Sequence, residues 1–95
     1  MENLHEAAEA IAQQMIENLR ISGVQREAKA LISQYVSGKL TAAEFANQFT
    51  PLEIMDFRQR WRDQLVLAVH AQISQYFHGL ILEEEFRSNL SSLLL

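Results

Sequence analysis

Ninety-five residues, 48% hydrophobic and 21% charged, suffice for one globular domain and exclude a disordered tail, a collagen-like fibre or a low-complexity linker. The absence of cysteine removes disulfide frameworks, zinc ribbons, thiol chemistry and iron–sulfur clusters together. Twelve acids against eight bases leave a net charge of −4, spread evenly along the chain, which argues against a nucleic-acid partner.

Three glycines and one proline are too few for a turn-rich β architecture, and the apolar spacing is helical throughout. The expectation is an all-α single domain over residues 1–95. It is a small bundle of about five helices, made of two glycine-cornered helical hairpins and an N-terminal helix. The first helix is expected from Leu4 to Ile21, with Asn3 as N-cap, a stripe of Leu4, Ala8, Ile11, Met15 and Leu19, and Gly23 as its stop. The second is expected from Val24 to Ser37, with Val24, Ala28, Leu31, Ile32, Tyr35 and Val36 inward and Gly38 ending it.

A third, short helix is expected from Ala42 to Phe49, opened by a Thr41/Glu44 capping box. Thr50-Pro51-Leu52-Glu53 then reads as another start signal, with Thr50 as cap and Pro51 at the first helical position. No glycine or proline follows until Gly79, so the fourth helix is expected to run unbroken over 52–78. Ile54, Phe57, Trp61, Leu65, Ala68 or Val69, Ile73 and Tyr76 form its stripe. At a rise of ~1.5 Å per residue it would span roughly 40 Å. Leu65 to Val69 is apolar on every side, which calls for burial by the bundle or by a second copy. The fifth helix is expected from Glu83 to Leu93, with Phe86, Leu90, Leu93 and Leu94 as its face.

The chain also echoes itself at an offset of 41: Ile32-Ser33-Gln34-Tyr35 returns as Ile73-Ser74-Gln75-Tyr76, Gly38 as Gly79, and Glu44-Phe45 as Glu85-Phe86. Seven of eighteen positions are identical between 32–49 and 73–90. The shared unit is a helix end, a glycine turn, and a helix opened by an acid and an aromatic. Duplication of a hairpin and convergence on one corner geometry both account for it.

No nucleophile elbow, phosphate loop or metal-ligand spacing is present, and His5, His70 and His78 are scattered. The expectation is therefore no enzyme, no catalytic residues, no metal and no cofactor. Arg58, Arg60, Trp61 and Arg62 could serve a nucleic-acid site, but read more simply as a solvated face with Asp56 placed to pair with Arg60. The would-be reading helix of a helix–turn–helix, Ala42 to Gln48, carries an acid and no arginine. Asp56, Asp63, Glu83 and Glu84 are the expected contact residues for a protein partner. Trp61, Leu65, Val69, Leu93 and Leu94 are the expected homodimer interface, since the long helix and the Leu93-Leu94-Leu95 end both want cover. The N-terminus has no basic or apolar leader region. The longest apolar run falls far below the ~20 residues of a membrane span, so a cytoplasmic, membrane-free location is expected.

From Ala28 onward the order of features resembles the small bacterial immunity proteins of the colicin D immunity type and their self-protective relatives. The match lies in Ala30-Leu31-Ile32-Ser33-Gln34-Tyr35-Val36-Ser37-Gly38-Lys39-Leu40-Thr41-Ala42-Ala43-Glu44-Phe45 and in Ile81-Leu82-Glu83-Glu84-Glu85-Phe86-Arg87. It covers the corners, so no toxin-contacting residue is carried over. The resemblance implies a helical plug whose acidic face covers the basic active site of a cognate toxin. The alternative is a homodimeric helical adaptor or regulatory protein built around helix 52–78.

Overall fold

The computed structural model of the chain describes residues 23–95, and the expected helix from Leu4 to Ile21, its Asn3 cap and His5 lie outside them. The described residues are all-helical: α1 (residues 23–36), α2 (Ala42–Gln59), α3 (Gln64–Phe77) and α4 (Glu83–Ser92). The helix α3 packs against both α2 and α4. The core takes Val24, Ala28, Ile32 and Tyr35 from α1, and Ala42, Phe45, Phe49 and Leu52 from α2. Val66 and Val69 of α3 and Phe86 and Leu90 of α4 complete it.

Each hairpin turns through the same corner. After α1, the Lys39 N–H donates to the Gln34 carbonyl (2.8 Å) and the Gly38 N–H to the Tyr35 carbonyl (3.0 Å). After α3, the Leu80 N–H donates to Gln75 (2.8 Å) and the Gly79 N–H to Tyr76 (3.0 Å), the same bonds at the offset of 41. Both are Schellman closures, which need a left-handed residue at the glycine. Gly38 (φ 86°) and Gly79 (φ 75°) supply it without the Cβ penalty. The following helices open alike, with Phe45 N–H on the Thr41 carbonyl and Phe86 N–H on the Leu82 carbonyl, both at 2.9 Å. The sequence echo is thus a repeated piece of geometry.

The boundary expected at Thr50–Pro51 is absent. Thr41 and Glu44 form their capping box as expected, each side chain bonding the other's backbone N–H at 3.1 Å. The helix then runs through Pro51, and Thr50 donates its hydroxyl to the Ala46 carbonyl (3.0 Å) instead of capping. An interior proline costs about 3 kcal/mol. The stripe Ala42, Phe45, Phe49, Leu52, Asp56 crosses it unbroken. Burying Phe49 and Leu52 on either side is worth about 1.5–3 kcal/mol each and offsets that cost. This register also turns Ile54 and Phe57 outward, 47% and 83% exposed, where the sequence placed them inward.

The helix expected over 52–78 is two helices. It breaks at residues 60–63 through Arg60 (φ 56°) and Arg62 (φ 50°), both left-handed. Arg60 and Trp61 close α2 as a third Schellman pair, bonding the Phe57 and Asp56 carbonyls at 3.2 Å. Left-handed backbone costs about 1–2 kcal/mol at a non-glycine residue. Two buried carboxylates hold it. Asp56 Oδ1 accepts from the Asp63 N–H (3.0 Å), and Asp63 caps α3 by accepting from the Val66 N–H (3.1 Å). Asp63 Oδ2 also accepts from Gln25 Nε2 (2.8 Å), which ties the turn to α1. Reversal at this point folds Val66 and Val69 back onto the core of the same chain. Gly23, expected as a helix stop, is helical, with φ outside the left-handed region, and Val24 beside it is buried.

Two pairs of variants check these assignments by chemical denaturation. Gly79→Ala should lower stability by about 1 kcal/mol, and Arg60→Gly should raise it by up to about 1 kcal/mol. No atom lies within 4 Å of an added Cβ at Gly79, so that change tests backbone conformation alone. Asp63→Ala should cost about 2–3 kcal/mol, while Asp63→Asn, an equally good cap, should recover most of it.

Candidate functional site

With α2 in register from Thr41, its outward positions face those of α3 across an open groove of 830 Å³. Phe57, Val66 and Leu67 are the apolar residues of the groove, Arg58, Arg60 and Arg62 its exposed basic rim, and Glu53, His70 and the buried Asp56 complete its lining. Phe57 is 83% and Leu67 50% exposed. The three arginines are exposed, and none forms an ion pair with a described residue. Arg60 does not pair with Asp56 as expected, because the Asp56 carboxylate is buried and turned to the Asp63 N–H. Glu53 and His70 meet across the middle of the helix pair, Oε1 to Nδ1 at 3.1 Å. A second depression of 390 Å³, lined among others by Ala43, Ala46, Ile73 and Phe77, continues beyond them.

The four expected acidic contacts separate into two kinds. Asp56 and Asp63 are 5% and 6% exposed and hold the 60–63 turn, so they are not on the contact surface the sequence suggested. Their burial follows from the break, which needs acceptors for the Asp63 and Val66 N–H groups. Glu83 and Glu84 are exposed in the first turn of α4 together with Glu85. Glu83 is engaged from within its own chain: Tyr35 donates its hydroxyl to Oε1 (3.1 Å), and Arg87 Nη2 stands 3.7 Å away. The Arg87 guanidinium also lies 5.4 Å over the Tyr35 ring. Burial, and then the neighbouring Glu83 carboxylate, push the Tyr35 hydroxyl up to about 12, against the opposing pull of Arg87.

The expected dimer residues are likewise taken up at home. Val69 is fully buried, and Trp61, Leu65, Leu93 and Leu94 pack against the core of their own chain. The chain reversal at 60–63 brings them there. What the sequence reading missed is the outward set: Phe57 and Leu67 on the groove, and Leu80 and Leu82 at the second corner, 74% and 69% exposed. Counting the stripe from the Thr41 cap straight through Pro51 would have exposed Phe57. No signal for the 60–63 break lay in glycine or proline.

Of the histidines, His70 bonds Glu53, while His78 Nδ1 lies 2.6 Å from the Ser74 carbonyl. Among the described residues no three His, Cys, Asp or Glu side chains cluster as a metal site, and no helix is long and apolar enough to cross a membrane. No family model matches the chain, and no curated protein or solved structure matches it either.

The Tyr35 site predicts an alkaline limit to stability. An unfolded tyrosine titrates near pH 10 and the folded one at about 12, so the contribution is complete below pH 10 and is lost as pH rises through 12. The loss amounts to roughly 2–3 kcal/mol. Tyr35→Phe should remove it, so the difference between wild-type and variant unfolding free energies should fall across that window. A constant difference contradicts the assignment.

Proposed function

We propose that this chain is a non-enzymatic protein-binding module whose docking surface is the α2–α3 groove, and that the groove takes an apolar, acidic element of another protein chain. Phe57 carries the reading. A phenylalanine 83% exposed forgoes about 1.5–3 kcal/mol of burial, and the α2 register gives the fold no use for it there. Leu67 across the groove extends the apolar contact, and the three rim arginines select negative charge and speed encounter with it. Glu53 and His70, on the groove lining, are engaged with each other.

The immunity-type inhibitor is a more specific version of the same class. The exposed Glu84 and Glu85 and the resemblance of the two corners support it. Loss of Asp56 and Asp63 from the surface narrows its acidic face to the first turn of α4. A basic toxin site would meet that turn, whereas an acidic partner would meet the groove.

A photo-crosslinking residue at position 57, with Lys29 on α1 as control position, tests the groove in host cells. A discrete protein adduct is expected from 57 alone, and Leu67→Glu should abolish it. Adducts from both positions, or from neither, contradict the proposal.

A further inference from the structure

The repeated corner provides an internal control for what the fold requires. Where the first corner shows Lys39 and Thr41 to solvent, the second shows Leu80 and Leu82. The backbone bonds around the two are the same. Thr41 caps α2 with its hydroxyl, whereas Leu82 stands at the N-cap of α4 with no side-chain bond. A missing cap costs about 1 kcal/mol. Leu80 and Leu82 stand 74% and 69% exposed, and Phe77 beside them 50%. The corner geometry accepts polar residues at both leucine positions, as the first corner demonstrates. The leucines therefore serve something outside the fold.

The neighbours of this patch define what it fits. Glu83, Glu84 and Glu85 follow Leu82 directly, so the patch is apolar and acidic. Its complement is an apolar and basic surface, and the α2–α3 groove is one: Phe57 and Leu67 share its lining with Arg58, Arg60 and Arg62, while its two acids are already engaged, Glu53 by His70 and the buried Asp56 by the Asp63 N–H. The groove's basic rim lies where α2 ends and α3 begins, and the leucine corner where α3 ends and α4 begins. The 14 residues of α3 hold the two apart by ~21 Å, so they cannot meet within one copy.

We infer that the occupant of the groove is the α3–α4 corner of a second copy of this chain, so that copies associate head to tail. Leu80 and Leu82 cover Phe57 and Leu67, and the exposed Glu84 and Glu85 face the rim arginines. The two surfaces differ, so copies that pair them one at a time form open chains or closed rings, and copies that pair both at once, groove to corner and corner to groove, close as a two-fold dimer. The inference rests on the groove being a docking surface and names what docks.

Sedimentation of the full chain from micromolar to millimolar concentration tests it, at low and high salt. The wild type should associate as concentration rises, to a dimer or beyond it, and dissociate with salt. Leu80→Lys/Leu82→Thr restores the residues of the first corner. It should weaken self-association about tenfold or more while holding or raising the melting temperature, which separates lost contact from lost fold. Phe57→Ser/Arg58→Glu should do the same from the groove side. An equimolar mixture of the two double variants retains one intact interface and should give a dimer of one copy each and nothing larger. A monomeric wild type at millimolar concentration overturns the inference, as does a dimer that survives either double variant, or a mixture that stays monomeric. If the wild type is monomeric yet position 57 captures a different protein in a Leu67-dependent way, the groove reading stands and the second copy is ruled out.

Discussion

Everything in this fold hangs on one aromatic junction. Each corner contributes a tyrosine from the helix it ends and a phenylalanine from the helix it begins, and the four rings meet at one end of the bundle. Tyr35 lies 5.4 Å from both Phe45 and Phe86, Phe45 lies 6.1 Å from Phe86, and Tyr76 stacks on Phe86 at 4.8 Å. Such pairs add about 0.5–1.5 kcal/mol each beyond area burial, and three of the four rings, Tyr35, Phe45 and Phe86, are fully buried. The junction crosses the two hairpins, since Tyr35 of the first touches Phe86 of the second. Neither hairpin is complete without the other. The repetition of the corner has a physical basis in this junction. The Schellman glycine sets the angle at which a ring can reach the centre, and two such rings from each side fill it.

The opposite end is held by polar chemistry. There the chain reverses without glycine, and the conformational cost falls on Arg60 and Arg62. Asp56 and Asp63, both buried, meet it with hydrogen bonds to the backbone and to Gln25. A buried carboxylate is tolerable only when its lone pairs are filled, and among the described residues no buried side-chain polar atom lacks a partner. The two ends therefore present different outer surfaces: arginines forced outward by the reversal, and acids favoured by the free N–H groups of α4. The opposite charges of these two turns follow from how the helices there stop and start.

Much of this was legible in the sequence where local chemistry decides the outcome. Thr41 with Glu44, Gly38 and Gly79, and the tyrosine–phenylalanine echo each announce a helix end whose energetics are local, and each is where the spacing predicts. The failures occur where packing overrides local preference. Thr50-Pro51 has the chemistry of a helix start, but Phe49 and Leu52 flank it on one buried face and carry the helix through. The 60–63 reversal has no glycine or proline to mark it. Its stabilising bonds join residues 7 and 38 positions apart, beyond any local reading. The candidate site suffered most. Misplacing those two boundaries put Phe57 inside and Asp56 and Asp63 outside, the reverse of their true positions.

Native-state hydrogen exchange at the two corner amides is the most direct test of the aromatic junction as the common constraint. The Lys39 and Leu80 N–H groups close equivalent bonds at 2.8 Å in different hairpins. If the junction binds the hairpins into one cooperative unit, both amides exchange only with global unfolding. Phe86→Leu then lowers their protection by the same free energy, although Lys39 lies in the other hairpin. Loss of protection at Leu80 with Lys39 unchanged would show that the hairpins open independently, and would contradict the central role of the four rings.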